Sequence, residues 1–197
     1  MKTYAFIDAS NTAGTTRECL SFNIDWYKLY DLMTNDKWNC EKVFLYKGYK
    51  GKTEKKQLEK LEDYGYDIKT KLTHKHPDKI KIIEIDCKCG NKCRYEDVIL
   101  GNMKSNCDVE LTIDAMKYPK STDRVLIFTG DGDFAELVEN LLHRGVIVYI
   151  VSSNNRDKKG VLRFSTRLKT ILEREALGED RCKFVHLFNW KKRIEKD

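Results

Sequence analysis

The chain has 197 residues and a formal net charge of +6, with 41% hydrophobic and 35% charged residues. This composition excludes a disordered chain and suits one folded domain with a full hydrophobic core, and its mild excess of positive charge permits a polyanionic partner. No apolar run reaches the ~18 residues of a membrane span and the N-terminus lacks the apolar region of a signal peptide, so we expect a cytoplasmic protein without membrane contact.

Strand and helix patterns alternate along the chain. The sequence predicts, in chain order, strands at 3–8, 42–49, 67–73, 79–86, 124–130, 146–153 and 183–188, and helices at 23–35, 55–66, 106–117, 133–145 and 163–176. Strands that alternate with helices predict an α/β fold with three layers, α/β/α, and a central, mainly parallel sheet. Residues 74–97 interrupt the alternation, so we expect a single domain over residues 1–197 with an insertion at about 74–97.

Polar and acidic residues follow two of the predicted strands. Asp8 and Asn11 follow the first strand, and Asp131 and Asp133 follow a later strand in the segment TGDGDF. Ligands of parallel sheets bind outside the carboxyl ends of the strands, so we expect these side chains to meet there, together with Asp108 at the start of a helix. Clustered carboxylates repel one another unless protons or cations compensate them. The cluster therefore predicts a site for Mg²⁺ or Mn²⁺, which prefer oxygen ligands.

Each of these acids also has a simpler structural interpretation. Asp133 and Glu136 form the D-x-x-E pattern of a helix cap. Asp8, at the end of a strand, suits an Asx turn. Asp114 and Glu110 lie four residues apart and suit the solvated face of a helix. The metal hypothesis depends on the acids meeting at one edge of the sheet.

Several motifs resemble those of a known family. The segments FIDASN, VFLYKGY, KSNCDVELTIDAM, VLIFTGDGDFAELVENLLHRG and VIVYIVSSN occur in the order typical of the NYN domain family, a branch of the PIN-like nucleases, and cover most of residues 1–188. The resemblance implies a PIN-like, Rossmannoid fold and a metal-dependent ribonuclease. Hydrolysis of the RNA phosphodiester would leave a 5′-phosphate and a 3′-hydroxyl.

The resemblance also assigns roles position by position. Four acids match the family's acidic cluster, and one polar residue matches its partner in the first motif; these are Asp8, Asp108, Asp131, Asp133 and Asn11. The four acids would hold Mg²⁺ or Mn²⁺, with Asp133 holding metal or orienting the attacking water. Asn11 would position the substrate or a water of the metal.

Basic and polar residues near this edge are candidates for binding the phosphates of single-stranded RNA. The segment after the strand at 146–153 is rich in cations and contains only one acid, Asp157. The resemblance adds a basic residue just ahead of the second motif, while Asp114 matches an acidic position of some members. The predicted substrate contacts are Lys104, Ser152, Asn154, Arg156, Lys158, Lys159, Arg163 and Arg167. The lysines from Lys55 to Lys60, interleaved with Glu54, Glu59 and Glu62, are interpreted as a solvated helix face.

Three cysteines, Cys87, Cys89 and Cys93, lie within the seven-residue segment CKCGNKC. Three thiols at this spacing suit part of a structural zinc site. The candidates for a fourth ligand are His74, His76 and Cys40. The alternative is three reduced thiols on a loop, because an odd number of cysteines without an export signal suits a reducing compartment.

Three functions are consistent with this pattern. The leading hypothesis is a metal-dependent ribonuclease, and the alternative is a non-catalytic RNA-binding regulatory module with the same fold. A small-substrate phosphohydrolase is the third, although no D-x-D-x-T motif follows a strand. The Rossmann and P-loop glycine motifs are missing, so no nucleotide cofactor is implied. A homo-oligomer and a protein inhibitor both stay open as partners.

Overall fold

The structure is a computed structural model that describes residues 1–35, 37–75, 79–86, 92–99, 103–104 and 106–197, with the backbone alone considered at 74–104. Its elements are β1 (Thr3–Asp8), α1 (Ala9–Cys19), α2 (Trp26–Asn35), β2 (Lys42–Tyr49), α3 (Lys52–Tyr64), β3 (Asp67–Leu72), β4 (His74–Lys75), β5 (Lys79–Asp86), β6 (Lys92–Ile99), β7 (Met103–Lys104), α4 (Asp108–Lys117), β8 (Arg124–Phe128), α5 (Ala135–His143), β9 (Ile147–Ser152), α6 (Thr166–Ala176), β10 (Cys182–His186) and α7 (Lys191–Ile194). Two short 3₁₀ helices span Gly132–Phe134 and Leu187–Trp190.

The central sheet has six strands in the order β10-β9-β8-β1-β2-β3. Every neighbouring pair in it is parallel. From β1 the chain builds outward through β2 to β3, and later from β8 through β9 to β10 on the other side. The predicted α/β fold with a parallel central sheet is confirmed, and the order of its strands places a topological switch between β1 and β8.

Helices cover both faces of the sheet and complete the three predicted layers. Successive strand residues point to opposite faces, so Phe6 packs in the core with α4, α5 and α6, whereas Ile7 packs in the core with α1, α2, α3 and α7. Both side chains are fully buried, and each such burial stabilises the fold by about 1.5–3 kcal/mol. None of the helices in the described part of the chain has the length and apolarity needed to cross a membrane.

The segment between β3 and α4 departs from the alternation, as its sequence predicts. β5 pairs with β6 in antiparallel orientation, and the predicted strand at 79–86 is confirmed as β5. β4 pairs with β7, also antiparallel, outside the six-stranded sheet. The division of the chain into one domain with an insertion stays a prediction.

β4, β6, β7 and α7 have no counterpart in the sequence-based prediction, and two further differences lie in the helix after β1 and at the end of the last strand. Helix α1 was not predicted, because ASNTAGTTREC has no apolar stripe; it buries threonines instead, and Thr12 Oγ1 donates to the Asp8 carbonyl at 2.6 Å. The last strand was predicted to reach residue 188 but ends at His186. There the imidazole Nδ1 accepts the Phe188 N–H at 3.2 Å, which begins a 3₁₀ helix.

Candidate active site

The carboxyl ends of β1 and β8 lie side by side at the topological switch of the sheet. Crevices at such points are the usual ligand sites of open parallel sheets. A cleft of about 230 Å³ lies here, and its walls include Asp8, Asn11, Tyr46, Lys47, Asp108 and Asp131. Three of the four predicted acids therefore line one cleft.

Asp8 ends β1 and caps α1. Its Oδ1 accepts the N–H groups of Ser10 at 3.1 Å and Asn11 at 3.0 Å, so the simpler turn interpretation holds in the form of a helix cap. Burial raises the pKa of Asp8 to about 6; the hydrogen bond from Asn11 opposes this rise, and the charges of Asp108 and Asp131 add to it. A cap explains the position of this carboxylate, whereas the raised pKa reports negative charge that the fold leaves uncompensated.

Asp131 follows β8 and caps the 3₁₀ helix that leads into α5. Its Oδ1 accepts the Asp133 N–H at 3.1 Å, and its own N–H donates to Thr129 Oγ1 at 3.1 Å. The D-x-x-E pattern predicts Asp133 as the cap of α5. In the structure α5 begins after Phe134, without a side-chain cap. These local bonds hold the Asp131 carboxylate at the mouth of the cleft.

Asn11 connects the two strand ends that carry these acids. Its Oδ1 accepts the Gly130 N–H at 2.9 Å. The loop fits closely at this point, since a Cβ on Gly130 would lie 2.7 Å from the Arg163 carbonyl oxygen and 2.9 Å from Ser152 Oγ. Asn11 therefore fixes the start of α1 against the end of β8. Its role towards substrate stays a prediction.

Asp108 is the first residue of α4 and faces the cleft from above β1. Its N–H donates to Asn106 Oδ1 at 2.9 Å. Burial raises the pKa of Asp108; a side-chain hydrogen bond from Asn106 opposes the rise, and the charges of Asp131 and Asp133 add to it. Asp133 itself is exposed and does not line the cleft. The fourth predicted acid thus lies at the rim, where its charge still acts on Asp108.

The donor atoms of the cleft fit a hard divalent cation. Asp8, Asp108 and Asp131 offer carboxylate oxygens, the ligands that Mg²⁺ and Mn²⁺ prefer. Among the described residues, however, no three His, Cys, Asp or Glu side chains converge closely enough to form a metal-binding group. Burial is the main cause of the raised pKa values of Asp8 and Asp108, and the charges of neighbouring carboxylates add to both.

Asp114 lies one helical turn and a half beyond Asp108 on α4 and has a partner of its own. The Tyr46 hydroxyl, which is buried, donates to Asp114 Oδ2 at 2.9 Å. Burial raises the pKa of Tyr46, and the charge of Asp114 adds to this rise. The solvated-face interpretation therefore does not describe Asp114. Glu110, the other acid of that pattern, pairs with Lys71 at 2.8 Å.

Three predicted substrate-binding arginines are engaged within the protein. Arg156 donates to the Gly160 carbonyl at 2.7 Å. Arg163 pairs with Glu18 and Asp157. Arg167 donates to the Gly132 carbonyl and to Glu136, each at 3.3 Å. These bonds shape the loop after β9 and neutralise part of its charge. Binding of substrate by these residues stays a prediction.

The other predicted contacts differ in their accessibility. Ser152 is buried at the end of β9, close to Gly130. Asn154, Lys158 and Lys159 are exposed on the following loop. Lys104 lies on β7, and its side chain is outside the described residues. Asn154 and the two exposed lysines are therefore the members of this set that are accessible to a phosphate in the described structure.

The predicted zinc site lies largely outside the described residues. This applies to Cys87, Cys89 and His76, while Cys93 and His74 are described in their backbone alone. Cys40, a candidate fourth ligand, is buried in the apolar core, and burial raises the pKa of its thiol to about 12. A zinc ligand is a thiolate, so this environment disfavours Cys40. The zinc hypothesis stays a prediction without that residue.

The structure adds residues that the sequence analysis did not select. Lys47 lines the cleft, and Asn106 holds the first residue of α4. The sequence contains a pattern that could have indicated Lys47, since this lysine directly follows the apolar run VFLY of a predicted strand. The pairing of Tyr46 with Asp114 had no signal, because it joins residues 68 positions apart.

Comparisons with known proteins agree with this architecture. The chain is 27% identical over 94 residues to the low amplitude and bright protein LabA of Synechococcus elongatus; the match covers 48% of this chain and 42% of that protein. The chain thus spans less than half the length of this curated relative.

A solved structure extends the agreement to the whole fold. The crystal structure of a protein of unknown function from Vibrio parahaemolyticus superposes with a TM-score of 0.62, at 21% identity, over 94% of this chain and 92% of that one. Such identity supports the fold alone. The family model of the NYN domain matches residues 2–169, which include every acid of the cleft. The chain therefore belongs to the NYN domain family, within the PIN-like nucleases.

Proposed function

We propose that this protein is a metal-dependent ribonuclease that hydrolyses RNA phosphodiester bonds in the cleft between β1 and β8. The observation that carries the proposal is the set of three carboxylates, Asp8, Asp108 and Asp131, in one cleft at the switch point of a parallel sheet. Two of them have raised pKa values, which is typical of carboxylates in functional sites.

Asp8, Asp108 and Asp131 would hold Mg²⁺ or Mn²⁺, with Asp133 at the rim. A divalent ion bound there supplies a Lewis acid that stabilises the charge developing on the phosphoryl group and lowers the pKa of water. The remaining tasks fall to the chain. Asn11 keeps the Asp8 and Asp131 strand ends in register through its bond to Gly130. Asp133 is exposed and does not line the cleft, and it is the candidate for orienting the attacking water.

In this hydrolysis the water oxygen forms a bond to phosphorus and the bond from phosphorus to the 3′ oxygen breaks. The leaving oxygen takes a proton, so the products are a 5′-phosphate and a 3′-hydroxyl. Lys47 is placed in the cleft wall, where a cation can bind a phosphate oxygen and draw the polyanion towards an acidic site. The RNA substrate itself is inferred from the NYN family.

The second candidate function is RNA binding without cleavage. The observation that favours it is the absence, among the described residues, of three side chains gathered into a metal-binding group. If the acids bind no cation, the cleft keeps its negative charge and supports no cleavage. The exposed lysines of the loop after β9 would still bind RNA.

Cleavage of labelled single-stranded RNA in Mn²⁺, in Mg²⁺ and in EDTA tests the proposal. An Asp131→Asn protein purified in the same way controls for contaminating nucleases, because asparagine keeps the capping bond and removes the charge. The proposal expects cleavage that requires the metal and disappears in the variant. If the two proteins bind RNA equally and neither cleaves it, the binding function replaces it.

A further inference from the structure

A second pocket adjoins the acidic cleft on the side of α2 and α3. Its volume is about 520 Å³, within the roughly 300–1,000 Å³ common for ligand sites. Lys47 of β2 lines both the cleft and this pocket, so the two meet at its side chain. We name it the lysine–aromatic pocket after the residues Trp26, Tyr27, Lys47, Lys60 and Lys196 in its walls.

The aromatic wall of this pocket is anchored and still partly exposed. The Tyr66 hydroxyl donates to the Trp26 carbonyl at 2.6 Å. The Tyr27 ring meets the Tyr64 ring edge to face, with the centroids 4.9 Å apart. Tyr27 remains 40% exposed, and Trp26 is partly exposed. An aromatic side chain that is fixed on one side and open on the other offers a surface on which an unpaired base can stack.

The cations of this pocket have no charged or hydrogen-bonding partner among the residues that the structure describes. Within the described part of the chain, no residue forms an ion pair or hydrogen bond with the Nζ of Lys47, Lys60 or Lys196. No acid is among the described residues that line the pocket. Arg163, in the loop after β9, is by contrast paired with two acids. Positive charge that the fold does not neutralise favours an anionic ligand.

We propose that the lysine–aromatic pocket binds one nucleotide of a single-stranded RNA whose scissile phosphate lies in the acidic cleft. The base stacks on Trp26 and Tyr27, and its flanking phosphates contact Lys47 and Lys60. A base that is paired in a duplex cannot leave its stack to enter, so the pocket selects single strands. The inference rests on the proposed function for the place of the scissile phosphate, but binding in this pocket requires no cleavage.

Binding can be measured by the fluorescence anisotropy of a labelled oligouridine, in EDTA so that nothing is cleaved. A Lys47→Gln/Lys60→Gln protein should bind about tenfold more weakly or worse, and its slope of log affinity against log salt should be shallower by about 1.4, since each lost contact removes about 0.7. Tyr27→Ala should weaken binding about tenfold through lost stacking. Its salt slope should stay unchanged.

Matched controls lie elsewhere on the surface. Lys120→Gln removes a lysine from the turn before β8, at the amino edge of the sheet. Phe188→Ala removes an aromatic ring that is 53% exposed beyond β10. Both should bind the oligouridine as the unmodified protein does.

Trp26 provides an independent reporter of the same pocket. The other two tryptophans, Trp38 and Trp190, are only 4% and 7% exposed. Saturating oligouridine should therefore quench the tryptophan emission through Trp26, and a Trp26→Phe protein should lose that response. Binding without any quenching would contradict stacking on this wall.

The outcomes separate this inference from the proposed nuclease activity. If the folded Lys47→Gln/Lys60→Gln and Tyr27→Ala proteins bind oligouridine as tightly as the unmodified protein, the pocket is not a nucleotide site, even where RNA is cleaved. If they lose binding while the unmodified protein cleaves no RNA, the pocket stands and the nuclease proposal fails. Equal affinity for an RNA duplex would also overturn the selection of single strands.

Discussion

Two aspartates at opposite edges of the sheet have the same local bonds and opposite electrostatics. At the amino edge, the Asp123 carboxylate accepts the N–H groups of Lys2 at 2.7 Å and Lys120 at 2.9 Å. At the carboxyl edge, Asp8 also accepts two N–H groups. Burial raises the pKa of Asp123, but its hydrogen bonds outweigh this and hold the pKa below its usual value. The pKa of Asp8 rises to about 6.

Burial raises the pKa at both positions, and the neighbouring charges differ in sign. Positive charge on Lys2 adds to the lowering at Asp123, whereas Asp108 and Asp131 place negative charge near Asp8. Asp123 is therefore a carboxylate that the fold satisfies. Asp8 belongs to a group of carboxylates whose charge the fold does not satisfy, as expected where a cation is to bind.

The largest expected effect is on RNA cleavage, which should depend on an acid at the carboxyl edge of the sheet and not on one at the amino edge. Asp108→Asn should lower RNA cleavage by at least about a hundredfold, because a metal ion's stabilisation of the transition state is worth several kcal/mol and each 1.36 kcal/mol is a factor of ten. Asp123→Asn should leave the rate per folded molecule unchanged. Single-turnover cleavage of labelled RNA in Mn²⁺ measures both. Equal losses in the two variants would mean that the carboxyl edge has no special role.

Stability should change in opposite directions at the two edges. In EDTA at pH 7.5, Asp8→Asn should raise the free energy of unfolding by about 2–3 kcal/mol, since ionising a group with a pKa of about 6 instead of 3.8 costs about 3 kcal/mol. Asparagine keeps the helix cap. Asp123→Asn should lower the free energy of unfolding by about 1–3 kcal/mol, because it weakens charge-assisted hydrogen bonds.

Urea unfolding of the three proteins measures these differences. A loss of stability in Asp8→Asn as large as that in Asp123→Asn would show that Asp8 is a structural carboxylate like its counterpart. That result would remove the electrostatic argument for the cleft.

The pH dependence sharpens the same contrast. The folded-state pKa of Asp8 lies above its unfolded value, so the folded state binds the extra proton between pH 3.8 and about 6. The unmodified protein should therefore match Asp8→Asn in stability below pH 3.8 and fall about 2–3 kcal/mol below it as the pH rises through about 6. Free energies of unfolding of both proteins across this range, in EDTA, give the difference directly. A stability deficit of the unmodified protein that shrinks as the pH rises would have the wrong sign.

The smallest expected effect concerns Asp114, which accepts a hydrogen bond from Tyr46. Tyr46→Phe removes the hydroxyl that donates to Asp114 and should lower the free energy of unfolding by about 1–2 kcal/mol, with a change in cleavage far smaller than that of Asp108→Asn. Tyr64→Phe is the matched control, because its hydroxyl donates to Asp31 at 3.0 Å on the exposed side of α3. Its cost should be smaller, since water replaces the lost bond.

The strands and most helices could be predicted because their apolar residues repeat with the period of the element. Helix α1 could not, because threonine and glycine are weak helix formers and its buried face is made of Thr12, Thr15 and Thr16. What stabilises it is the local Asp8 cap together with packing on the sheet. Helix α1 is missing from the prediction because capping and packing outweigh the weak helix propensity of its residues.

The site was predictable as a set of strand ends and unpredictable in its geometry. The rule for carboxyl ends of parallel strands brought Asp8 and Asp131 together without structural knowledge. The exposure of Asp133 depends on where the 3₁₀ helix begins, and the engagement of Arg163 depends on its meeting Glu18 from α1. Such contacts join distant segments, so local sequence patterns do not contain them.

Binding of Mn²⁺ to the cleft is the most direct test of the central claim that the carboxyl edge carries charge for a cation. Electron paramagnetic resonance of free Mn²⁺ can follow its titration with the unmodified protein, Asp131→Asn and Asp123→Asn at pH 7.5. We predict saturable binding to the unmodified protein and to Asp123→Asn, and its loss in Asp131→Asn. Equal binding by all three proteins, or by none of them, would contradict the claim.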